Sequence, residues 1–263
     1  MWATYHNHTS WSDGRPSVAE LIAGAHALGA VEVGISDHFC RHRDGRIPRW
    51  AMPPNGLGDY IREIRAAADG APLPVRVGVE IDWFDGHAGM IGEALAPHGF
   101  DYVIGSVHEV DGFEIDATPR TWDALSEDQR NEVHRRYWLA SRDLARSGLA
   151  DIMAHLDLAK KFGHRATIDL QAEIGAALDA IAEAELVVEV NTAGWHKPVR
   201  EAYPDPSIIR RCVDRGIRMT ISADAHQAGH LLRDFDRAEQ LLRDAGCTEI
   251  ARFRGREVEM VAL

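Results

Sequence analysis

The chain has 263 residues, of which 45% are hydrophobic and 27% are charged, and these values are typical of a soluble globular protein. A formal net charge of −12 argues against general affinity for nucleic-acid polymers, which need a basic face, and against attraction to anionic membranes. No apolar run is long enough to span a membrane, the first residues lack a signal-peptide pattern, and the three cysteines are unclustered. We therefore expect a single domain over residues 1–263, with reduced thiols and a cytoplasmic location.

Short β-branched segments alternate along the chain with amphipathic segments. The first kind predicts strands and the second predicts helices. In chain order, the predicted elements are strand 2–5, helix 17–28, strand 31–36, helix 58–68, strand 75–79, strand 102–106, helix 127–147, strand 150–154, helix 169–184, strand 186–190, helix 206–215, strand 217–222 and helix 235–245. Residues 41–55 are polar and rich in proline, which indicates a long loop.

The alternation of strands and helices predicts an α/β fold with parallel strands and right-handed crossovers. Seven strands are predicted, and a closed barrel would leave none of them with an unpaired edge. A seven-stranded barrel is therefore favoured over an open sheet.

Nearly every predicted strand is followed by a polar residue, and most of these residues can bind a metal. They are His6, His8, Asp37, His38, Glu80, His108, His155, Asn191, Asp224 and His226. Because the C-terminal ends of all strands lie on one face of a parallel barrel, we expect these residues to converge there. The other eight histidines are predicted to be surface or hydrogen-bonded core residues: His26, His42, His87, His98, His134, His164, His196 and His230.

Six histidines with Glu80 and Asp224 exceed the four ligands of a single zinc site, so two or three clustered ions are predicted. Mixed imidazole and carboxylate ligands suit divalent or trivalent transition metals, namely zinc, manganese or iron. A carboxylate such as Glu80 can bridge two ions, and a water shared by such ions becomes a hydroxide nucleophile near neutral pH. This pattern is typical of phosphoester hydrolysis.

Four motifs carry a family resemblance that extends over almost the whole chain. They are His6-Asn7-His8-Thr9 with Ser12-Asp13-Gly14, then Ser36-Asp37-His38, Gly78-Val79-Glu80-Ile81-Asp82, and Ser222-Ala223-Asp224-Ala225-His226. Together they resemble the motifs of the PHP (polymerase and histidinol phosphatase) superfamily of metal-dependent phosphoesterases. The segments around His108, His155 and Asn191 are most similar to the monofunctional histidinol-phosphatase branch. The resemblance implies a distorted (β/α)7 barrel with a trinuclear metal site at the C-terminal ends of the strands.

The resemblance also implies a distribution of ligands among three ions. His6, His8, Glu80 and Asp224 would hold the first ion, and Glu80, His108 and His155 the second. Asp13, His38 and His226 would hold the third, although Asp13 before Gly14 also fits an ordinary turn. Glu80, Asp224 and His226 are the expected catalytic residues, together with Asp157, which would support a ligand or protonate the leaving group.

A phosphate monoester needs cationic partners besides the metals, and the candidates in sequence are Arg15, Lys160, Lys161 and Lys197. We favour Lys161 and Lys197. The branch usually has a Leu-Arg pair where this chain has Trp195-His196, so His196 is the predicted substrate contact at that position. Carboxylates available for the amine of histidinol phosphate are Asp82, Glu109 and Asp111.

The leading hypothesis is a phosphomonoesterase that acts on L-histidinol phosphate. The alternative is a related phosphoesterase that cleaves another small phosphomonoester, or a cyclic or nucleotide phosphate. A noncatalytic metal-binding module and a metal-dependent amidohydrolase are less favoured, because every ligand is present and the histidine spacing differs from that of amidohydrolases. The sequence predicts a small phosphorylated substrate, no nucleic-acid polymer and no membrane, and leaves the oligomeric state open.

Overall fold

The computed structural model describes residues 2–42 and 44–263, and in this part of the chain seven parallel strands form a barrel surrounded by helices. The strands are β1 Ala3–Thr4, β2 Glu32–Ile35, β3 His38–Phe39, β4 Val75–Asp82, β5 Tyr102–Ser106, β6 Glu109–Val110, β7 Phe113–Glu114, β8 Ile152–Met153, β9 Val187–Asn191, β10 Arg218–Ser222, β11 Glu249–Arg254 and β12 Glu257–Ala262. The α-helices are α1 Val18–Ala27, α2 Leu57–Ala68, α3 Ala88–Leu95, α4 Pro119–Asp123, α5 Glu127–Arg146, α6 Gln171–Glu183, α7 Pro206–Asp214 and α8 Phe235–Asp244.

The barrel strands follow the order β1-β2-β4-β5-β8-β9-β10, and every neighbouring pair is parallel. Beyond the ends of β1 and β10, Asn7 and Ala225 form a parallel bridge. The backbone amide of His8 donates to the Ala225 carbonyl at 2.9 Å, and the Ala225 amide donates to the His6 carbonyl at 3.1 Å. The barrel is therefore nearly closed, and the predicted α/β barrel of seven parallel strands is confirmed.

Strand β4 is longer than predicted. It continues to Asp82 because the short strand β3 pairs with its C-terminal half, where His38 lies opposite Glu80. Glu80 and Asp82 are consequently held by sheet hydrogen bonds on the barrel wall. They are two residues apart in a strand, so their side chains point to the same face.

Three aromatic rings fill the barrel interior near the N-terminal ends of its strands. Tyr5 contacts Tyr102 and Phe253 edge to face, with ring centroids 5.3 and 5.0 Å apart. Phe253 belongs to the C-terminal hairpin β11–β12, which the sequence did not predict. The turn of this hairpin donates backbone hydrogen bonds to Asp101, which directly precedes β5. The hairpin therefore closes the N-terminal end of the barrel and leaves the C-terminal end open.

Helix α5 illustrates how local sequence sets the outer layer. Ser126 and Gln129 form a capping box at its start, and the buried residues of its inner face recur at helical spacing. The predicted helices all form, with bounds that differ by one or two residues. No helix in the described part of the chain is both long and apolar enough to cross a membrane.

Candidate metal centre

Glu80 lies at the centre of a histidine cluster at the C-terminal end of the barrel, and its side chain has no exposed surface. Its two carboxylate oxygens face different imidazoles. Oε2 lies 3.0 Å from His6 Nε2, 3.5 Å from His8 Nε2 and 3.0 Å from His38 Nδ1, whereas Oε1 lies 3.3 Å from His155 Nε2 and 3.7 Å from His108 Nε2. A carboxylate placed in this way can be a ligand to two ions at once.

One group of possible ligands joins the first strand to the last. Asp224 Oδ1 lies 3.8 Å from His6 Nε2 and 3.3 Å from His8 Nε2. Ligand atoms of these three residues all lie within 4.8 Å of one another. The bridge that closes the barrel at Asn7 and Ala225 therefore also brings this group together.

A second group lies nearer the solvent and includes Asp13. Asp13 Oδ1 is 3.2 Å from His226 Nε2 and 3.8 Å from His38 Nε2, and His8 completes the group within the same 4.8 Å. The buried carboxylate of Asp37 holds the loop that carries Asp13, since it accepts hydrogen bonds from Thr9 and Ser12. Asp13 is thus brought to the cluster, while Asp37 supports the loop beneath it.

His6, Glu80 and His155 form a third group, and His108 faces the same oxygen of Glu80 as His155. Asp82 orients His108, because its Oδ1 lies 2.6 Å from Nδ1 of the ring. This carboxylate fixes the tautomer that presents Nε2 to the cluster. Asp82 can also be grouped with His38 and His108 as a ligand, but its contact with Nδ1 favours the orienting role.

The state of the two ring nitrogens of His8 shows whether these residues suit a metal ion. Both are buried without a hydrogen-bond partner among the described residues. Burial, together with the nearby His226 and His38, lowers the pKa of His8 to about 3, so the ring is neutral and has a free lone pair. A neutral buried imidazole without a proton partner is the form that binds transition metals. The donor set therefore fits a metal centre.

The charges around Glu80 and Asp224 also favour a metal centre. Burial opposes ionisation of Glu80, but His38 and His6 outweigh it and hold its pKa well below the ordinary value. Burial likewise opposes ionisation of Asp224, and its neighbour His6 keeps that pKa low. Both side chains are therefore anionic ligands at neutral pH.

Glu189 is a central residue of the site that the sequence analysis did not select. It lies in β9, is buried, and accepts hydrogen bonds from Asn191 Nδ2, Ser222 Oγ and the backbone amide of His155 at 2.7–2.8 Å. Its Oε2 also lies 2.9 Å from Nδ1 of His6. Glu189 thus orients two of the possible ligands at once. Its position two residues before Asn191 placed it on the same strand face, which could have revealed it.

Backbone strain is concentrated at the same end of the barrel. His155, Asp157 and Asp224 are non-glycine residues with positive φ values of 21°, 65° and 49°. Such conformations cost free energy and persist where surrounding contacts enforce them, which is common at functional sites.

A cavity of about 630 Å³ opens above the cluster and contains several predicted substrate residues. Lys161, Lys197 and His196 line it, but Lys161 Nζ bonds Asp116 at 3.1 Å and His196 Nε2 lies 2.5 Å from Asp234. His42 and His230, which the sequence assigned to the surface or core, also line it.

Three of the residues predicted as candidates to contact or protonate the substrate do not line this cavity, namely Arg15, Asp157 and Lys160. Arg15 is exposed and does not line it, although its backbone amide bonds the carbonyl of His226. Asp157 is buried beside Lys160, whose Nζ lies 2.8 Å from Oδ2, and accepts a hydrogen bond from the backbone amide of Asp205. The structure therefore does not bring Asp157 to the metal cluster.

Of the three carboxylates expected near the cavity mouth, two line the cavity and one does not. Asp82 and Glu109 line the cavity, whereas Asp111 pairs with Arg136 on the surface, with Nε 2.7 Å from Oδ2.

Known proteins resemble this chain in sequence and in fold. The PHP domain family model matches residues 4–193. A probable histidinol-phosphatase of Deinococcus radiodurans is 36% identical over 241 residues, which are 89% of this chain and 91% of that protein. The histidinol-phosphatase of Lactococcus lactis is 26% identical over 97% of this chain and 95% of its own length. The solved structure of Lactococcus lactis histidinol phosphate phosphatase with zinc, L-histidinol and phosphate matches the fold with a TM-score of 0.80, at 22% identity and over 98% of both chains.

Proposed function

The chain belongs to the PHP domain family, and on that premise we propose that it is a metal-dependent phosphomonoesterase that hydrolyses L-histidinol phosphate to L-histidinol and phosphate. The observation that carries the proposal is the convergence of five imidazoles on the buried carboxylate of Glu80, beneath an open cavity. Curated relatives that align over about nine-tenths of the chain are named for this activity.

We propose that two or three ions of zinc, manganese or iron occupy the cluster. The residues that would hold them are His6, His8, Asp13, His38, Glu80, His108, His155, Asp224 and His226. When bound, such ions supply Lewis acidity and lower the pKa of a ligand water, which provides a nucleophile near neutral pH. Zinc is supported by the metal in the Lactococcus lactis structure.

The roles of this chain's own residues follow from their contacts. Glu189 and Asp82 hold the rings of His6 and His108 in place, so that little reorganisation is needed during turnover. Lys197 lines the cavity and makes no ion pair within the described residues, so its ammonium is available to a phosphate oxygen. Lys161 lies on the same wall, where Asp116 holds it.

The charges that line the cavity suit a substrate of mixed charge. Besides its cations, the cavity is lined by the carboxylates of Asp82, Glu109, Glu114 and Asp116. Histidinol phosphate carries a phosphate at one end and an ammonium with an imidazole at the other. Cations would bind the first part. The carboxylates already contact His108, Lys161 and Arg46, so they would share these partners with the second part.

We further propose that residues 1–263 act as one domain in the cytoplasm. Cysteine usage supports a reducing compartment: Cys40 and Cys212 are buried, Cys247 is half-buried, and all three are free thiols.

A phosphate-release screen on metal-loaded protein tests the proposal, with the bound metal quantified in the same preparation. The panel should contain L-histidinol phosphate, other small phosphomonoesters, a cyclic phosphodiester and a nucleotide. We expect kcat/KM for L-histidinol phosphate to exceed that of the other esters by about 10-fold or more. A preference for the cyclic or nucleotide substrate would assign the protein to the alternative phosphoesterase class. Loaded protein that releases no phosphate from any ester would overturn the proposal.

A further inference from the structure

One wall of the cavity is formed by two loops that follow the last two barrel strands. The first contains His196 and Lys197 after β9, and the second contains His230 and Arg233 after β10. Both loops lie at the C-terminal end of the barrel, where β9 and β10 are adjacent. Cationic residues from separate parts of the sequence are thereby collected beside the metal cluster.

Arg233 has a guanidinium group that the protein itself does not satisfy. It is half-buried, and its Nε is buried without a hydrogen-bond partner among the described residues. Within those residues its guanidinium makes no ion pair, whereas those of Arg46, Arg136 and Arg243 do. A buried unsatisfied donor costs free energy, and Arg41 and Arg252 also have such an Nε. Within the described residues, Arg233 is the arginine that lines the cavity, where an anionic ligand can reach the unsatisfied donor.

The backbone of Arg233 is fixed although its side chain is free. Its amide donates to the carbonyl of His230 at 3.0 Å, and its carbonyl accepts from Thr192 Oγ1 at 2.8 Å. The second contact ties the two loops together. The backbone that carries the guanidinium is therefore held in place, so that ligand binding need not order this loop.

The residue after Arg233 is an acid that already has a partner. Asp234 is paired with His196, whose Nε2 lies 2.5 Å from Oδ2. His196 thus occupies one oxygen of this carboxylate, whose charge still acts on Arg233 without forming an ion pair with it among the described residues. The residue that the sequence suggested as a substrate contact therefore acts here as a positioning residue.

The charges around these cations are mixed, because the carboxylates of Asp224 and Asp234 act on Arg233, and those of Asp224 and Asp116 act on Lys197. Burial and the positive charges of Lys161 and Arg233 lower the pKa of Lys197, so these three cations lie close enough to repel one another. Lys197 and Arg233 make no ion pair within residues 2–42 and 44–263. A bound dianion would relieve the repulsion, and a guanidinium can contact two of its oxygens with parallel hydrogen bonds.

We propose that Arg233, together with Lys197, binds the phosphate group of the substrate and replaces the arginine expected at position 196. This inference rests on the proposed function for the identity of the ester, but the binding of inorganic phosphate tests it separately.

The experiment titrates inorganic phosphate into metal-loaded protein by calorimetry and measures KM and kcat for the best ester of the screen. In Arg233→Gln, we expect the Kd of phosphate and the KM of the ester each to rise about 10- to 100-fold, because a charge-assisted contact is lost. The metal content should not change. For Arg233→Lys, we expect Kd and KM values between those of the wild type and those of Arg233→Gln, since lysine keeps the charge but cannot form the paired hydrogen bonds.

Arg237→Gln is the matched control. Arg237 lies four residues further along, is exposed, and stacks on Trp195 with its guanidinium carbon 4.0 Å from the ring centroid. It does not line the cavity, so this variant should keep the wild-type Kd for phosphate.

If Arg233→Gln binds phosphate within about twofold of the wild type, the inference is wrong. Loaded wild-type protein that binds no phosphate would overturn it as well. If phosphate binding depends on Arg233 but no ester is hydrolysed, the inference stands and the proposed function fails.

Discussion

Glu80 concentrates the chemistry of the site in one fully buried side chain. Each of its oxygens faces imidazole nitrogens, and the hydroxyl of Ser106 also donates to Oε1. Within the described residues, its partners are therefore the side chains of the cluster and Ser106. Single-residue changes here should therefore affect more than one ligand group.

Glu80→Gln should lower kcat/KM by about 10²–10³ and reduce the bound metal, because an amide has one oxygen and no charge to offer two ions. Steady-state kinetics with elemental analysis of the same sample measures both effects. Glu93→Gln, on the exposed face of α3, is the control and should behave as the wild type. Near-normal activity and metal content in Glu80→Gln would contradict the central position of this carboxylate.

His134 should make stability depend on pH independently of the metal ligands. It lies in α5 against Trp122, and its Nε2 is buried without a partner among the described residues. Burial lowers its pKa to about 4, so the folded state favours the neutral ring. The unfolded state binds the proton first as pH falls, and stability is lost between the unfolded pKa of about 6.5 and the folded value.

The wild type should therefore lose about 2 kcal/mol more unfolding free energy than His134→Gln when the pH falls from about 7 to about 5. Urea unfolding at both pH values measures the difference, and the metal ligands contribute equally to the two proteins. Parallel pH profiles for wild type and variant would show that His134 is readily protonated in the fold.

At the scale of elements, the barrel strands are spaced to admit one large ring. Gly34 in β2 and Gly78 in β4 both face Tyr102 of β5, and a Cβ at either glycine would lie 2.2 Å from an atom of that side chain. The tyrosine hydroxyl donates to the carbonyl of Tyr5 and joins β1 to the same core. Because Gly34 and Gly78 have no side chain, their strands can pack closely around the ring of Tyr102.

Gly34→Ala should destabilise the protein by about 1–3 kcal/mol, because the added methyl overlaps a ring that has no free space around it. Thermal or urea unfolding measures the loss. Gly89→Ala is the matched control: Gly89 lies in helix α3, and a Cβ there would contact nothing within 4 Å. The Gly89→Ala variant should be as stable as the wild type, or more stable by about 0.5–1 kcal/mol, since alanine has a higher helix propensity than glycine. Equal stability of both variants would mean that the barrel expands to accept the methyl group.

At the scale of the whole molecule, the metal cluster draws ligands from both ends of the chain. His6 comes from the first strand and Asp224 follows the last barrel strand, yet both face Glu80 or its partners. Bound ions would thus reinforce the closure of the barrel that the bridge between Asn7 and Ala225 makes. Metal binding is therefore expected to stabilise the complete barrel as well as to supply chemistry.

Complete removal of metal by chelation should abolish phosphatase activity and lower Tm by about 5–10 °C, as expected for loss of a ligand that stabilises the fold by a few kcal/mol. Differential scanning calorimetry with metal analysis checks this, and reloading with zinc or manganese should restore both properties. Metal-free protein, verified by analysis, that keeps its activity would exclude the proposed mechanism.

The sequence by itself determined the α/β barrel and the residues at its C-terminal end. Both depend on local information: hydrophobic periodicity marks each strand and helix, and parallel topology places every strand end on one face. His6, Glu80 and Asp224 could therefore be selected without knowing any contact between them. Strand β3 and the C-terminal hairpin were not predicted, because such short or terminal strands form only when a partner strand is already in place.

Only the tertiary structure decided which side chains are free to act. Asp116 pairs with Lys161, Asp234 with His196, and Asp157 with Lys160. Arg233, by contrast, is left without a partner among the described residues. Pairs such as His196 with Asp234 are 38 residues apart in sequence. Their formation depends on the paths of two loops and on side-chain rotamers, which no periodicity or local motif encodes.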